Sequence, residues 1–285
     1  MLVVVTLATN EPAAEGALSG YTQEAVDLIE YLYGDGMLEI GGTKSIDDMF
    51  EGVNLDNKHI LDIGSGSGGV DTYLAQKYAA TIVGVDPEQM LVERATQRAH
   101  KLQKNFRGNV VFQQLSTTNN LSQFPDNVFD IVMSRGAILH VPHADKQNYF
   151  AEMFRVLKPG GLLIIDDWMH QSPKYTSEVQ EMMSADGIPY NLITPAEYSK
   201  ILSTVGFTNV ALRDTTQHAH AASADVYNKA QACKNEMIKQ FGEEMYRFAL
   251  QSWSLQASIF QRRELLTGII SGYKPQQHSA DIHTK

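Results

Sequence analysis

The sequence predicts an α/β fold with a doubly wound, mostly parallel sheet, and three observations carry that expectation. A short apolar run, His59 to Ile63, passes straight into Gly64-Ser65-Gly66-Ser67-Gly68-Gly69, and Val70, Tyr73, Leu74 and Lys77-Tyr78 then fall at helical spacing. That order reads as buried strand, tight turn and helix. Strand-like and helical runs go on alternating as far as Asp166-Asp167-Trp168, the pattern of a parallel sheet with right-handed crossovers. Helical segments before residue 59 and after residue 170 add an N-terminal helical lid and a helical C-terminal extension to this Rossmann-like sheet.

Residues 1–18 read as a flexible leader. The run Met1-Leu2-Val3-Val4-Val5 is short, lacks a basic flank and is broken by Asn10-Glu11-Pro12, so it does not fit a signal peptide. From Tyr21 to Leu32, Val26, Ile29 and Tyr31-Leu32 make an amphipathic helix stopped by Gly34-Asp35-Gly36. Met37 to Gly42 is a loop, and Ser45 to Phe50 a short helix. The core follows. Strands are expected at 59–63, 81–85, 110–114, 129–134 and 162–165, with helices at about 69–78, 87–104 and 145–157. Lys158-Pro159-Gly160-Gly161 reads as turn chemistry. Helices at 178–183 and 195–205 precede a sixth strand starting near Gly206. Residues 223–268 read as mostly helical, their Met and aromatic residues at helical spacing being core. The expected division is a core with its lid over 19–215, the helical extension over 216–273 and a disordered tail over 274–285.

Composition narrows the function classes. The 285 residues are 43% hydrophobic, enough for one large domain or a domain with an appendage. A formal charge of −10 disfavours nucleic-acid and anionic-membrane partners, which call for basic clusters. Cys233 is the single cysteine, so neither an internal disulfide nor a Cys-rich metal site exists. No stretch is long and apolar enough to span a membrane. A cytoplasmic monomer or homodimer is expected. His218-Ala219-His220 has no evident third ligand and reads as a solvated loop. Asp166 and Asp167 are adjacent on a strand and face opposite sides, which argues against both holding one ion. No metal is expected.

By spacing alone, Gly64-x-Gly66-x-x-Gly69 satisfies a dinucleotide fingerprint, with Asp86 closing the next strand about 20 residues on. Both a nicotinamide dinucleotide and S-adenosylmethionine carry a ribose whose hydroxyls such an acid accepts, and the motif does not choose between them.

Later blocks do. Phe124-Pro125-Asp126-Asn127-Val128-Phe129-Asp130, Ser134-Arg135-Gly136-Ala137-Ile138-Leu139-His140 and Val156-Leu157-Lys158-Pro159-Gly160-Gly161 follow the glycine turn and Gly84-Val85-Asp86 in that order. The series resembles the class I S-adenosylmethionine-dependent methyltransferases over roughly residues 20–215. Tyr21-Thr22-Gln23-Glu24 through Gly41-Gly42, with Ser134 to His140, looks like the phosphoethanolamine N-methyltransferases and their sarcosine/dimethylglycine relatives. The resemblance implies cofactor contacts at Asp62, Gly64, Ser65, Gly66, Asp86, Pro87, Ser116, Thr117 and Arg135, and acceptor contacts at Leu38, Glu39, Trp168 and Tyr190. It sets Tyr21, on a mobile helical lid, and His140 across the transferred methyl group as catalytic residues, with S-adenosylhomocysteine as the spent cofactor. On local pattern alone, Tyr21 reads as a half-buried aromatic and His140 as a histidine capping a strand end.

Departures from the family point to the acceptor. Where the phosphoethanolamine enzymes hold phosphate with an arginine, a lysine and tyrosines, this chain has Ile188, Gln256 and Trp168, and Tyr190 alone is kept. A phosphate dianion would be poorly paired there. Gly136 stands where the family has an aspartate, and Ser116 or Thr117 where an aspartate meets the adenine. The expected function is methyl transfer to a small non-phosphorylated acceptor, foremost an amine. An O- or C-methyltransferase on a flat, natural-product-like acceptor, a non-catalytic methyltransferase-like binding protein and a nicotinamide oxidoreductase are the other readings.

Overall fold

The computed structural model describes residues 21–115, 120–172, 174–186 and 188–276. Along the chain, α1 (Gln23–Tyr33) and α2 (Gly42–Met49) precede the alternating core. The core runs β1 (His59–Ile63), α3 (Gly69–Lys77), β2 (Thr81–Asp86), α4 (Gln89–Leu102), β3 (Asn109–Gln114), β4 (Phe129–Arg135), α5 (His143–Val156) and β5 (Leu157–His170). After it come α6 (Ser177–Asp186), α7 (Pro195–Val205), β6 (Thr208–Asp214), α8 (Thr216–Ala232), α9 (Lys234–Gln261) and β7 (Leu265–Tyr273). The strands form one seven-stranded sheet in the order β3-β2-β1-β4-β5-β7-β6. Strands β1 to β5 pair in parallel, and β7 runs antiparallel to both of its neighbours.

Strand β1 lies between β2 and β4, with Ile63 opposite Val85 on one side and Ser134 on the other. The winding reverses there, which opens a crevice beyond the strands' carboxyl ends, the position where such sheets bind ligands. Asp62, Asp86 and Arg135 all stand at that edge because each closes or nearly closes its strand.

Most elements follow from local signals. Thr194 and Glu197 form a reciprocal capping box that starts α7 at Pro195, and Gly206 ends it in the left-handed region. Thr22 caps α1 by accepting from the Ala25 N–H. Helix α1 buries Ala25, Val26, Leu28 and Ile29, each at most 1% exposed. Arg94 pairs with Asp27 and Glu30, and Arg98 with Glu30 and Asp35. These ion pairs join the lid helix to α4, and the expected leader, 1–18, lies outside the described residues.

Four local expectations are corrected. Residues 265–268, read as helical, open strand β7. Its first six residues are all buried, so it lacks the polar–apolar alternation of a half-exposed strand. The last nine residues of the expected helical extension thus return into the core sheet. Lys158-Pro159-Gly160-Gly161 lies within β5 rather than in a turn, beside an irregular register between Phe129 and Ile131. His218 and His220 belong to α8, not to a loop, and His220 Nδ1 lies 2.9 Å from the Ala257 carbonyl. Lys274, placed in the tail, is anchored by its ammonium to the carbonyls of Phe154 and Leu157, while 277–285 lie outside the described residues. Among the described residues no helix is long and apolar enough to cross a membrane.

Candidate active site

The glycine turn is tied to the second strand. Gly64 and Ser65 N–H groups donate to the Val85 carbonyl at 2.8 and 3.0 Å, and the Gly66 N–H donates to Asp86 Oδ2 at 2.9 Å. Asp86 Oδ1 accepts from the Glu88 N–H at 2.9 Å, which leaves lone pairs on both oxygens. The third glycine of the fingerprint serves packing. Gly69 N–H donates to the Gly36 carbonyl at 3.0 Å, and a Cβ on Gly69 would lie 2.3 Å from that oxygen. One N-terminal N–H of α3 thus faces the loop after α1 rather than a ligand.

Beyond these residues lies a cavity of about 400 Å³ that Asp86, Pro87, Leu115, Ile138, Val141 and Tyr149 help to line. A narrower cleft continues from it along Leu38, Glu39, Asp62, Gly64, Ser65, Gly66 and Arg135. Leu38 covers the turn, its Cδ1 2.9 Å from where a Cβ on Gly66 would sit. Ser65 Oγ is buried without a partner among the described residues. Three carboxyls underlie this cleft. Burial pushes Asp86 up to about 6 and Asp71 up to about 7. Asp62 is raised by burial first and by the neighbouring Asp71 second. An apolar chamber with a carboxylate at one end and acids at the other fits a nucleoside with a cationic tail.

His140 sits on a short 3-10 turn after β4. Its Nδ1 is 2.8 Å from the Pro189 carbonyl. A carbonyl only accepts, so Nδ1 carries the hydrogen and Nε2 keeps its lone pair. Burial pulls the imidazole down to about 4, against the opposing pull of that carbonyl. Three groups fix the turn's backbone: Asn191 Nδ2 donates to the His140 carbonyl (3.1 Å), Asn191 N–H to Leu139 (2.7 Å) and Lys146 Nζ to Ile138 (2.5 Å).

Tyr21 and His140 line both the large cavity and a small one of about 20 Å³, where Leu38, Glu39, Gly136, Trp168, Ile188 and Tyr190 join them. The rings stand in series. His140 to Tyr190 is 5.6 Å and edge-on, Tyr190 to Trp168 is 6.2 Å, and Trp168 to Phe260 is 4.8 Å and edge-on. Trp168 is 3% exposed and is thus no surface aromatic. Gln256 is fully buried, and neither amide atom has a partner among the described residues.

The structure brings most of the expected site residues together. Arg135 borders the cleft, but its guanidinium is spent on Asp166 Oδ2 (3.2 Å), the Ile40 carbonyl (2.5 Å) and Ser45 Oγ (2.5 Å). Ser116 and Thr117 lie outside the described residues. Asp166 and Asp167 do face opposite ways, the first to Arg135 and the second to the Tyr198 hydroxyl. The described residues contain no cluster of three or more His, Cys, Asp or Glu arranged to bind an ion. Pro189, Asn191, Tyr149 and Lys146 were not anticipated. Each reaches the site through tertiary packing, and no motif marks it.

Residues 61–165 match the family model described as a methyltransferase domain. The phosphoethanolamine N-methyltransferase of Plasmodium falciparum is 29% identical over 245 residues, which cover 85% of this chain and 89% of that protein. Phosphoethanolamine N-methyltransferase 1 of Arabidopsis thaliana is 30% identical over 234 residues, 82% of this chain but 46% of that protein. The chain thus spans about half the length of such plant relatives. Among solved structures, the fold is similar to that of Haemonchus contortus phosphoethanolamine N-methyltransferase 2 in complex with phosphomonomethylethanolamine and S-adenosylhomocysteine. The TM-score is 0.82 at 23% identity, over 90% of this chain and 59% of that one. A putative sarcosine dimethylglycine methyltransferase from Galdieria sulphuraria gives a TM-score of 0.75 at 17% identity, over 90% and 98% of the two chains.

Proposed function

We propose, from the premise that this chain is a class I S-adenosylmethionine-dependent methyltransferase similar to the phosphoethanolamine and sarcosine/dimethylglycine group, that it methylates a small, non-phosphorylated amine. One observation carries the acceptor class. Among the described residues, the small pocket beside His140 is lined by three aromatic side chains and one carboxylate, and by no lysine or arginine. Aromatic faces and a carboxylate suit an ammonium group. A phosphate brought into the same space would lose its water without gaining a cation. We place the reaction in the cytoplasm, a reading supported by a chain whose one cysteine allows no internal disulfide.

S-Adenosylmethionine supplies an electrophilic methyl group on a sulfonium. In this reading the apolar cavity takes the adenine and Asp86 accepts from the ribose hydroxyls. Asp62 lies near the methionine end, and Leu38 and Tyr21 close the cleft against water. His140 presents the Nε2 lone pair toward the acceptor and takes its proton there, while Pro189 holds the tautomer. Tyr21 orients the acceptor nitrogen. The enzyme's share of an in-line displacement is mainly alignment and exclusion of water.

Two pH dependences follow. Asp86 binds ribose as a carboxylate, so with its carboxyl at about 6 the affinity for S-adenosylhomocysteine should rise about tenfold between pH 5 and 7. The ligand-free protein should move the other way. Its buried acids titrate above their unfolded values, so the stability they contribute is full below about pH 4 and is lost as pH rises through 6 to 7. Calorimetric titration and thermal unfolding at stepped pH check both. The His140 imidazole is neutral throughout this window. The kcat/KM profile should therefore stay level until the free acceptor's own ammonium ionises, near 10 for an amine in water, and fall above it, with no imidazole inflection near 6.5.

The acceptor class is tested by methyl transfer to primary and secondary amines, their phosphorylated counterparts and phenols. Small amines should react best, with kcat/KM for a phosphorylated counterpart lower by at least about tenfold. Preference for the phosphorylated amine or for a phenol overturns the reading.

A further inference from the structure

Glu39 stands where three cavities meet: the cleft of the glycine turn, the aromatic pocket of His140 and Trp168, and a third beside Arg135, Asp166 and His218. Its Oε1 accepts from the Ile40 N–H at 3.0 Å, which fixes the carboxylate's orientation. Its Oε2 accepts from no described residue. That second oxygen lies 2.5 Å from the position a Cβ on Gly136 would take, and Gly136 has φ 63°. The room that brings the carboxylate into the pocket is therefore the room left by the missing side chain at 136. The guanidinium that lines two of these cavities with it, Arg135, is already engaged by Asp166, Ile40 and Ser45. Among the described residues, Glu39 is the one carboxylate that lines the aromatic pocket, and no lysine or arginine lines it.

We propose that Glu39 holds the acceptor's ammonium among the Trp168, Tyr190 and His140 rings, with Gly136 reserved as glycine to let it do so. The assignment rests on the amine reading above and sharpens it: acceptors that arrive as cations are selected over neutral isosteres. Aromatic walls attract a cation, but a desolvated cation still needs an opposite charge, and one oriented oxygen supplies it. The same oxygen repels an anionic acceptor. A hydroxyl acceptor of equal size gains a hydrogen bond but no charge pairing.

The test is a cycle of variants read by acceptor kinetics and by calorimetry of acceptor binding to the S-adenosylhomocysteine complex. Glu39→Gln, nearly isosteric, should raise KM and weaken acceptor binding by at least about tenfold, with kcat and S-adenosylhomocysteine affinity within about threefold. Gly136→Ala should reproduce the loss by displacing the carboxylate. In a Glu39→Ala background it should add less than about threefold, because nothing is left to displace. Unchanged acceptor binding in Glu39→Gln overturns the assignment, as does additivity of the two sites. So does a tenfold loss of S-adenosylhomocysteine affinity in Glu39→Gln, which would assign the carboxylate to the cofactor. If Gly136→Ala fails to fold at its positive φ, Glu39→Gln alone decides. A wild-type protein that methylates no amine refutes the amine reading itself, whereas amine turnover with an indifferent Glu39→Gln refutes this step alone.

Discussion

His140→Ala lowers the turnover of an amine acceptor by about 10²–10⁴-fold, the span removed with a positioned general base. The side chain offers one free lone pair, at Nε2, because Nδ1 is committed to the Pro189 carbonyl at 2.8 Å. Among the described residues no other imidazole lines the large cavity or the small one, and the carboxylate in the small pocket, Glu39, is assigned above to pairing with the ammonium. The loss should fall on kcat, with KM moving less, since the Tyr190 and Trp168 rings remain. Affinity for S-adenosylhomocysteine should stay within about threefold of wild type. Single-turnover methyl transfer beside calorimetry separates the two effects. Retention of more than about a tenth of wild-type turnover removes the base from His140.

Gly69→Val destabilises the protein by about 2–4 kcal/mol, summing overpacking and the loss of one buried backbone hydrogen bond. For a chain of this size that corresponds to a thermal midpoint roughly 3–7 °C lower. A Cβ at 69 would meet the Gly36 carbonyl at 2.3 Å, and a Cβ on Gly36 would meet Gly69 Cα at 2.7 Å, so neither backbone has room to yield. The same junction carries Ser67 Oγ to Glu30 (2.6 Å) and Arg98 to the Ser67 carbonyl. Displacing it shifts the segment bearing Leu38 and Glu39, and cofactor affinity should fall alongside stability. Gly52→Ala is the control. Its backbone has φ 77° but a Cβ there meets nothing within 4 Å, so it carries the strain of the left-handed region without the crowding. A Gly69→Val protein within about 1 kcal/mol of wild type would mean that the N-terminal segment is not seated on the turn.

Much of the fold was legible because its signals are local. The glycine turn, the acid closing β2 and each single strand or helix between His59 and Asp166 need fewer than about twenty neighbouring residues to be read. Strand β7 was missed for a physical reason. A strand buried on both faces has no period of two, and Leu265-Leu266-Thr267-Gly268-Ile269-Ile270 is as compatible with the end of a helix as with a strand. Part of the site was opaque for a different reason. Nothing in the neighbourhood of residue 39 says that its carboxylate ends against residue 136. Nothing near 189 or 191 says that those residues hold the turn of His140. Such pairings belong to the packed chain, and the family likeness reached them only where a motif residue stood at the matching place. Arg135 shows the converse: it sits where expected, yet its guanidinium joins the Ile40 carbonyl and Ser45 of α2 to Asp166 of β5.

The placement of β7 between β5 and β6 also governs how the molecule can be made. Strand β6 pairs with β7 and β5's outer edge pairs with β7, so neither is satisfied until residues 265–273 have left the ribosome. At about 5–20 residues per second, synthesis of the intervening stretch takes roughly 5–20 s. For that interval the nascent chain carries an open, apolar strand edge at Leu162 to His170 and an orphan strand downstream. The last strand acts as the clasp of the sheet, and the exposed edge before it closes is the state most open to chaperone capture or to mispairing with another chain.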